Sequence, residues 1–304
     1  MSDRDVTYLS PTRLAAYAAC PRAFDYESVQ QIETPEETRL YPNQGNAYHK
    51  TIEAVCAETD ADDDPETIFD RARAAFENAW HEHTDPDDYA SRSHREYQYA
   101  ENRAAIEAFF DPDSGDGIEH ARRSVATEFW VDCIRDGIGL RGKADTVLRT
   151  DDGLHVIDYK RNTNGIVSLR TAESLVEHRT GEGHDAKRVR NAFQAACYIE
   201  GVTESELYEP GMTVRFSFYG LLNDTSFEGT ADGYTVSARG WGREITEVYD
   251  QYYETIWELV RRAHDGITSE RYDPEPFSLI HEEACPSCSY RETCGEYLSE
   301  VVRR

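Results

Sequence analysis

The sequence predicts an α/β protein in which a central mixed sheet is flanked by helices. Three consecutive segments, 125–131, 138–148 and 154–160, alternate apolar and polar residues as half-buried strands do. On both sides of these segments, apolar residues recur at the three- and four-residue spacing of amphipathic helices. One mixed core therefore accounts for the pattern, and the 304 residues are expected to form a single domain over 1–304.

Capping residues locate the first helices. Ser10-Pro11 and Asp64-Pro65 each combine an N-cap residue with proline in the first helical turn. The first pair predicts a short helix that ends before Cys20, and the second predicts a helix that follows an acidic loop. A further helix is expected to start near Gly45. Helices over 58–120 are interpreted as an insertion into the core.

The second half of the chain is expected to alternate between helix and strand. A helix is predicted over 186–200, after a glycine-containing loop, and a strand over 213–222. One long helix is predicted to follow that strand, since apolar residues continue at helical spacing to Val260. The chain then ends in a group of cysteines.

The charge balance is strongly acidic, with 59 Asp and Glu against 32 Lys and Arg, and a net charge of −27. The acids are spread along the chain, which favours a surface adapted to concentrated salt over a surface for basic partner proteins. In ~1 M salt the Debye length is ~3 Å, so this net charge does not exclude DNA binding. No apolar stretch is long enough for a membrane, and no leader is recognised, so a cytoplasmic protein is expected.

Two short motifs on neighbouring predicted strands carry the chemistry. Asp145 ends the segment Gly142-Lys143-Ala144-Asp145, and Asp158 and Lys160 alternate on the next strand, where they share one face. Carboxylates held close together favour a hard divalent cation such as Mg²⁺ or Mn²⁺. Lys160 could then orient a water molecule or stabilise the charge on a phosphate. An isolated Asp-x-Lys is also compatible with a surface ion pair at a strand end.

Four other residues could belong to the same site. His49 follows Gly45 on a predicted helix and could be a further metal ligand, or a structural histidine. Gln194 and Tyr198 lie four residues apart on one helical face, where they could support the metal site or simply pack. Glu128, on the strand before Asp145, could lend a third carboxylate or remain a solvated strand residue.

Together these motifs resemble the RecB-like branch of the PD-(D/E)XK nucleases. The four elements are Gly-x-x-x-His (45–49), Gly-x-x-Asp (142–145), Asp-x-Lys (158–160) and Gln-x-x-x-Tyr (194–198), in the order of that branch. The resemblance implies a restriction-endonuclease-like core and DNA as substrate. It also implies that the metal is bound by His49, Asp145, Asp158 and the backbone of Tyr159, that Lys160 is catalytic, and that Gln194 and Tyr198 support catalysis.

Three of the seven cysteines cluster near the C-terminus as Cys285, Cys288 and Cys294. Three thiolates leave a four-ligand site incomplete, and Cys20, followed by proline as Cys285 is, is the candidate fourth ligand. This set resembles the iron–sulfur site of AddB-type nucleases and of CRISPR-associated RecB-like exonucleases. The resemblance favours a [4Fe–4S] cluster formed by 281–298 and Cys20; structural Zn²⁺ is the alternative. Cys56, Cys133 and Cys197 are interpreted as buried apolar residues.

The leading functional hypothesis is a metal-dependent exonuclease that acts on single-stranded DNA or DNA ends. Its context would be DNA repair and recombination with a helicase, or spacer acquisition with CRISPR integration proteins. A second hypothesis is a catalytically silent DNA-binding partner of a helicase or integrase complex. A third hypothesis is an unrelated metallohydrolase that uses His49 and Glu53. This pair lacks the second histidine of the zincin motif.

Overall fold

The computed structural model describes residues 6–34, 40–230 and 233–303. The strands are β1 (Tyr8–Leu9), β2 (Ser124–Arg135), β3 (Ile138–Arg149), β4 (Gly153–Lys160), β5 (Thr213–Thr230) and β6 (Gly233–Glu244). The α-helices are α1 (Pro11–Ala19), α2 (Pro21–Phe24), α3 (Leu40–Glu58), α4 (Pro65–His83), α5 (Arg92–Phe109), α6 (Gly117–Arg123), α7 (Glu173–Thr180), α8 (Ala186–Thr203), α9 (Thr246–Gln251), α10 (Tyr253–Thr268), α11 (Phe277–Glu283) and α12 (Gly295–Arg303).

The strands form one mixed sheet in the order β1-β3-β4-β5-β6, with β2 on the other edge of β3. β3 pairs antiparallel with β2 along its length, whereas its second edge is divided between β1 and β4. β4 and β5 are parallel, and β5 and β6 form a long antiparallel hairpin. The predicted fold class, a mixed sheet flanked by helices, is confirmed.

Helices cover both faces of the sheet because alternate strand residues point to opposite sides. On β4, Leu154 and Val156 pack into a core with α1, α8 and α10, whereas Ile157 and Tyr159 pack into a second core with α3 to α6. The segment 58–120 is helical, as predicted, and its helices form much of this second core. Its interpretation as an insertion stays a prediction.

The two cap-plus-proline helix starts are confirmed. Ser10 Oγ accepts a hydrogen bond from the backbone N–H of Arg13 at 3.2 Å, and α1 ends before Cys20. Helix α4 begins at Pro65 after the N-cap Asp64. The predicted start of α3 near Gly45 was wrong, since α3 already includes Leu40. Pro42 lies in the early part of α3, and an early proline is tolerated because the first backbone N–H groups have no intrahelical partner.

Seven elements were missed by the sequence analysis: β1, α2, α6, α7, β6, α11 and α12. Strand β6 is largely exposed, so it lacks the alternation of apolar and polar residues that reveals a half-buried strand. The predicted long helix after β5 was also wrong. β6 comes first, and the helical region is then divided at Tyr252 into α9 and α10. Among the described residues, no helix has the length and apolar character needed to cross a membrane.

Candidate active site

The candidate site lies where β3 and β4 separate. The two strands pair only from Thr146 opposite Ile157 to Arg149 opposite Leu154. Immediately beyond the last pair, the Asp145 side chain replaces the missing strand partner, and its Oδ2 accepts the backbone N–H of Tyr159 at 2.8 Å. The separation of the strands thereby directs the Asp145 carboxylate toward the end of β4, where Asp158 and Lys160 lie.

A histidine and two carboxylates meet at this fork. His49, Glu128 and Asp145 each offer a ligand atom, and these atoms all lie within 4.8 Å of one another. His49 Nδ1 is 3.3 Å from Asp145 Oδ2. An imidazole with two carboxylates is a donor set that suits a divalent cation. Glu53 is not part of this group; its Oε2 accepts a hydrogen bond from Lys50 Nζ at 2.5 Å.

Glu128 adopts an unusual backbone conformation at this site. Its φ angle is +49°, in the left-handed region that residues with a side chain rarely adopt. Such conformations persist where surrounding structure holds them, often at functional sites. The side chain of Glu128 also contacts Lys143 Nζ across the β2–β3 pair. The structure thus brings Glu128 together with His49 and Asp145, in agreement with a third carboxylate at the site.

Asp158 lies beside this group, almost fully buried at 3% exposure. Lys160 Nζ contacts its Oδ1, and Gln194 Nε2 donates to its Oδ2 at 2.8 Å. The two β4 side chains therefore share a face, as predicted, and α8 supplies the third member. Within the described region, the three-residue ligand group does not include Asp158.

Acidic side chains lie close together at the fork, and their burial and mutual repulsion shift the pKa values of the groups there. Burial and the charge of Asp158 together raise the pKa of Asp145 to about 7, against the opposing effects of His49, Lys160 and the backbone N–H of Tyr159. Burial also raises the pKa of Tyr198, with Asp158 and Asp145 adding to the effect. Burying several negative carboxylates together costs free energy, and a bound cation lowers that cost. The chemistry of the fork therefore fits a divalent metal.

Glycine at position 142 explains how α8 reaches the site. A Cβ atom at Gly142 would lie 3.0 Å from both Cys197 Sγ and Tyr198 Cε1. Glycine at this position thus allows close packing of α8 against β3, and α8 also carries Gln194, which bonds Asp158. Gly45 is different, since a Cβ there would meet no atom within 4 Å.

The side chain of Tyr159 points away from the fork. Its hydroxyl lies 2.9 Å from His120 Nδ1, and the ring packs in the second core. Only the backbone of Tyr159 faces Asp145, which is compatible with the backbone role that the resemblance implies. That role in metal binding stays a prediction.

Arg161 was missed by the sequence analysis. Directly after Lys160, its Nη2 donates to Glu101 Oε2 at 2.5 Å and its Nη1 donates to Gln44 Oε1 at 3.0 Å. Arg161 thus connects the end of β4 to α5 and α3. Its position next to Lys160 was the available signal, but its partners lie 60 and 117 positions away.

The four predicted cluster cysteines come together. Cys20, Cys285, Cys288 and Cys294 line one small cavity between α2 and the C-terminal segment. Burial and the proximity of the other three cysteines together raise the pKa of Cys285 to about 11. The remaining three cysteines, Cys56, Cys133 and Cys197, are buried in the hydrophobic cores, as predicted.

Ion pairs hold the two chain ends together beside these cysteines. Arg22, two residues after Cys20, donates from Nε to Glu296 Oε1 at 2.9 Å and from Nη2 to Asp273 Oδ1 at 2.9 Å. The Tyr26 and Tyr290 ring centroids lie 5.6 Å apart. The four-thiol donor set fits an iron–sulfur cluster or a zinc ion.

A mixed sheet with acids and a lysine at a strand fork defines a class of metal-dependent phosphodiester hydrolases. The model of the PD-(D/E)XK nuclease superfamily matches residues 8–295. The chain therefore belongs to the PD-(D/E)XK nuclease superfamily. Membership implies metal-dependent nuclease activity, that is, hydrolysis of phosphodiester bonds. No match was found among curated proteins.

Proposed function

We propose that this chain is a Mg²⁺- or Mn²⁺-dependent deoxyribonuclease that digests single-stranded DNA or DNA ends. The observation that carries the proposal is the strand fork, where His49, Glu128 and Asp145 converge within 4.8 Å beside the Asp158–Lys160 pair. Superfamily membership supports the reaction type, and exonuclease action on DNA follows from the resemblance to the RecB-like branch.

The proposal gives each residue of the fork a role. His49, Asp145, Asp158 and the backbone of Tyr159 would hold the metal, and Glu128 joins them because its carboxylate lies in the same group. A bound divalent ion would supply Lewis-acid stabilisation of the phosphate and lower the pKa of a water molecule.

Lys160 and α8 complete the site. Lys160 is 29% exposed, so its ammonium group can contact both Asp158 and an incoming phosphate. There it orients the attacking water or stabilises the charge that develops on the scissile phosphate. Gln194 fixes the orientation of Asp158 through its 2.8 Å hydrogen bond, and Tyr198 closes the same side of the site.

Cleavage of end-labelled single-stranded DNA with Mg²⁺ or Mn²⁺, in concentrated KCl, tests the proposal. Lys160→Ala is expected to abolish cleavage, by at least about 100-fold, without changing the thermal unfolding midpoint by more than a few degrees. Lys187→Ala is the matched control. Lys187 is another of the four lysines of the chain and lies outside the fork, so this variant is expected to retain activity. A Lys160→Ala variant as active as the wild type would refute the mechanism.

The same experiment distinguishes a nuclease from a catalytically silent DNA-binding module. A silent module would bind labelled DNA yet leave it intact under every metal condition. The near-complete burial of Asp158 beside Lys160 supports the enzyme, since a buried carboxylate is costly and has no evident purpose in a module that only binds.

We also propose that Cys20, Cys285, Cys288 and Cys294 hold a [4Fe–4S] cluster. The four cysteines line one small cavity, and four thiolates suit either an iron–sulfur cluster or a zinc ion. The resemblance to the iron–sulfur site of AddB-type nucleases and CRISPR-associated RecB-like exonucleases favours the cluster. Its role is structural, because Cys20 and Cys294 join segments from opposite ends of the chain.

Elemental analysis and absorption spectra of anaerobically purified protein test this assignment. Iron near four atoms per chain and a broad absorption near 400 nm are expected by analogy with clusters of this type. Cys20→Ser is expected to lose the colour and lower stability, whereas Cys197→Ala is expected to keep the colour. One zinc per chain and no iron would overturn the cluster and leave a zinc site.

We propose DNA repair and recombination or CRISPR spacer acquisition as the context of this activity, on the basis of the RecB-like resemblance. The partners in those contexts are a helicase or CRISPR integration proteins. Neighbouring genes for either set would decide between the two. The abundance of acids, 59 of 304 residues, supports a protein that works in concentrated salt. Activity that survives molar KCl would support that adaptation.

A further inference from the structure

An exposed tryptophan lies on the sheet face that carries the metal-site acids. Trp130, on β2, is 65% exposed, although tryptophan normally buries much of its large ring. Trp130 lies directly opposite Lys143 on β3, and Asp132 lies opposite Arg141. Directly paired residues of antiparallel strands share a face, so Trp130 and Lys143 are on one side of the sheet.

The same face continues into the candidate metal site. Lys143 and Asp145 are two residues apart on β3 and therefore point to the same side. The contact of Lys143 Nζ with Glu128 confirms that the acids and the lysine meet on this side. Two residues of strand span roughly 7 Å, so the indole of Trp130 stands within about one nucleotide of the acids.

Cationic groups flank the tryptophan. The side chains of Lys143 and Arg141 are 41% and 53% exposed, respectively. Each has an acidic partner, yet an ammonium has three donors and a guanidinium has five, so both retain donors for a phosphate. Arg141 also lies 4.6 Å from the centroid of the Tyr8 ring. The surface formed by Trp130, Lys143 and Arg141 thus offers a stacking ring beside two cationic groups.

We propose that Trp130 stacks on an unpaired nucleobase next to the scissile phosphate, so that the enzyme selects single-stranded DNA. The inference rests on the proposed nuclease function and adds to it the feature of the substrate that is recognised. A base can stack on a side chain only when it is free of its own duplex stack, so the contact is available to single strands and frayed ends.

Stacking suits a protein of this composition. A net charge of −27 opposes the approach of DNA, and concentrated salt weakens phosphate contacts. Stacking of a base on an aromatic ring does not depend on charge, and it contributes roughly 1–3 kcal/mol per base. Trp130 therefore supplies affinity that the screened lysine and arginine cannot supply alone.

Three variants test the inference. Trp130→Ala is expected to raise the Kd for single-stranded DNA roughly 5- to 100-fold and to lower kcat/KM similarly. Trp130→Phe keeps an aromatic ring and is expected to stay within about 3-fold of wild type. Phe227→Ala is the control, since Phe227 is also exposed, at 55%, but lies seven residues along β5 from the Gly220 that pairs with Lys160. It is expected to match the wild type.

Abasic oligonucleotides identify the contact. Removing the bases from either end of the DNA is expected to weaken wild-type binding as Trp130→Ala does. The abasic DNA and the Trp130→Ala variant together are expected to lose little more than either alone, because both remove the same stack.

The outcomes separate the two proposals. A wild-type protein that neither binds nor cleaves DNA would overturn the nuclease function and the stacking with it. A wild type that cleaves, together with an equally active Trp130→Ala variant, would overturn only the stacking. Equal losses on single-stranded and blunt duplex DNA would also overturn it, because they would indicate a general structural defect or a different partner for this surface.

Discussion

Arg161 donates a 2.5 Å hydrogen bond to Glu101, a residue 60 positions away on α5. The Glu101 side chain is 9% exposed, and Arg161 immediately follows the proposed catalytic lysine. The end of β4 is therefore attached to the helical segment 58–120 through a largely buried charge pair. This contact gives the segment a structural part in positioning the site.

Glu101→Gln should destabilise the protein through this contact. The substitution leaves the partly buried Arg161 without its charge partner, and such a loss costs about 1–3 kcal/mol in the free energy of unfolding. Glu96→Gln is the matched control on the same helix; its pair with Arg92 is exposed, so a change below about 0.5 kcal/mol is expected. Denaturant titration measures both. Equal effects of the two substitutions would contradict the structural role of the Arg161–Glu101 pair.

Gly142 and Gly45 should respond to alanine in opposite directions. Gly142→Ala forces a Cβ to 3.0 Å from Cys197 Sγ and Tyr198 Cε1, and overpacking of this kind costs about 1–3 kcal/mol. Gly45 lies inside α3 with open space around it, so Gly45→Ala should stabilise by about 0.5–1 kcal/mol. Unfolding midpoints measure both changes.

A second substitution checks the cause of the Gly142 effect. Cys197→Ala removes the sulfur that the new Cβ would meet, so the double variant with Gly142→Ala should recover part of the lost stability. Purely additive effects would place the strain elsewhere, since residues in contact are expected to show coupling.

The sequence predicted the elements in which buried residues recur at a regular spacing or in which capping residues mark the start. Strands β2 to β4 were found because their apolar residues alternate, and α1 and α4 were found because Ser10, Asp64 and the prolines mark their starts. Strand β6 was missed because most of it is exposed and carries no periodic signal. The break at Tyr252 between α9 and α10 was missed because the apolar spacing continues across it.

The site was predictable in its residue types and less so in its geometry. Strand alternation was enough to place Asp158 and Lys160 on one face. Two features depend on tertiary structure: the left-handed backbone at Glu128 and the fork that turns Asp145 toward Tyr159. Local sequence could not reveal them, because each involves contacts between strands that the residue types alone do not specify.

Gln194→Ala should weaken metal binding while the fold is kept. Gln194 holds Asp158 Oδ2 at 2.8 Å, and loss of a group that orients a metal ligand typically costs 10- to 100-fold in affinity. Titration calorimetry with Mn²⁺ measures the effect. Gln251→Ala removes an exposed glutamine that bonds Glu247 on α9, and it should bind Mn²⁺ as the wild type does. Unchanged affinity in Gln194→Ala would show that Asp158 needs no support from α8.

A pair of stacked histidines should make the protein sensitive to acid. The His178 and His184 ring centroids lie 4.9 Å apart, and His178 Nδ1 accepts the backbone N–H of Asp185 at 3.1 Å. Burial, together with the neighbouring charges of His184 and Arg262, lowers the pKa of His178 to about 4. The folded protein therefore keeps His178 neutral at a pH where the unfolded chain binds a proton.

This difference sets the direction of the pH effect. Because the folded pKa lies below the unfolded value of about 6.5, the contribution of His178 to stability is fully present above pH 6.5. This contribution is lost as the pH falls toward 4. The loss amounts to roughly 1–2 kcal/mol in the free energy of unfolding, because His178 is partly exposed to solvent. His178→Gln should therefore flatten the dependence of unfolding free energy on pH between 6.5 and 4, relative to the wild type.

The exposed His81 on α4 supplies the control for this effect, since His81→Gln should leave the pH dependence of the wild type intact. Denaturant titrations of the three proteins at several pH values give the comparison. If His178→Gln and the wild type lose stability in parallel down to pH 4, the histidine stack is not the acid-sensitive element. The loss would then come from carboxylates that are paired in the folded state, which act mainly at the lower end of this range.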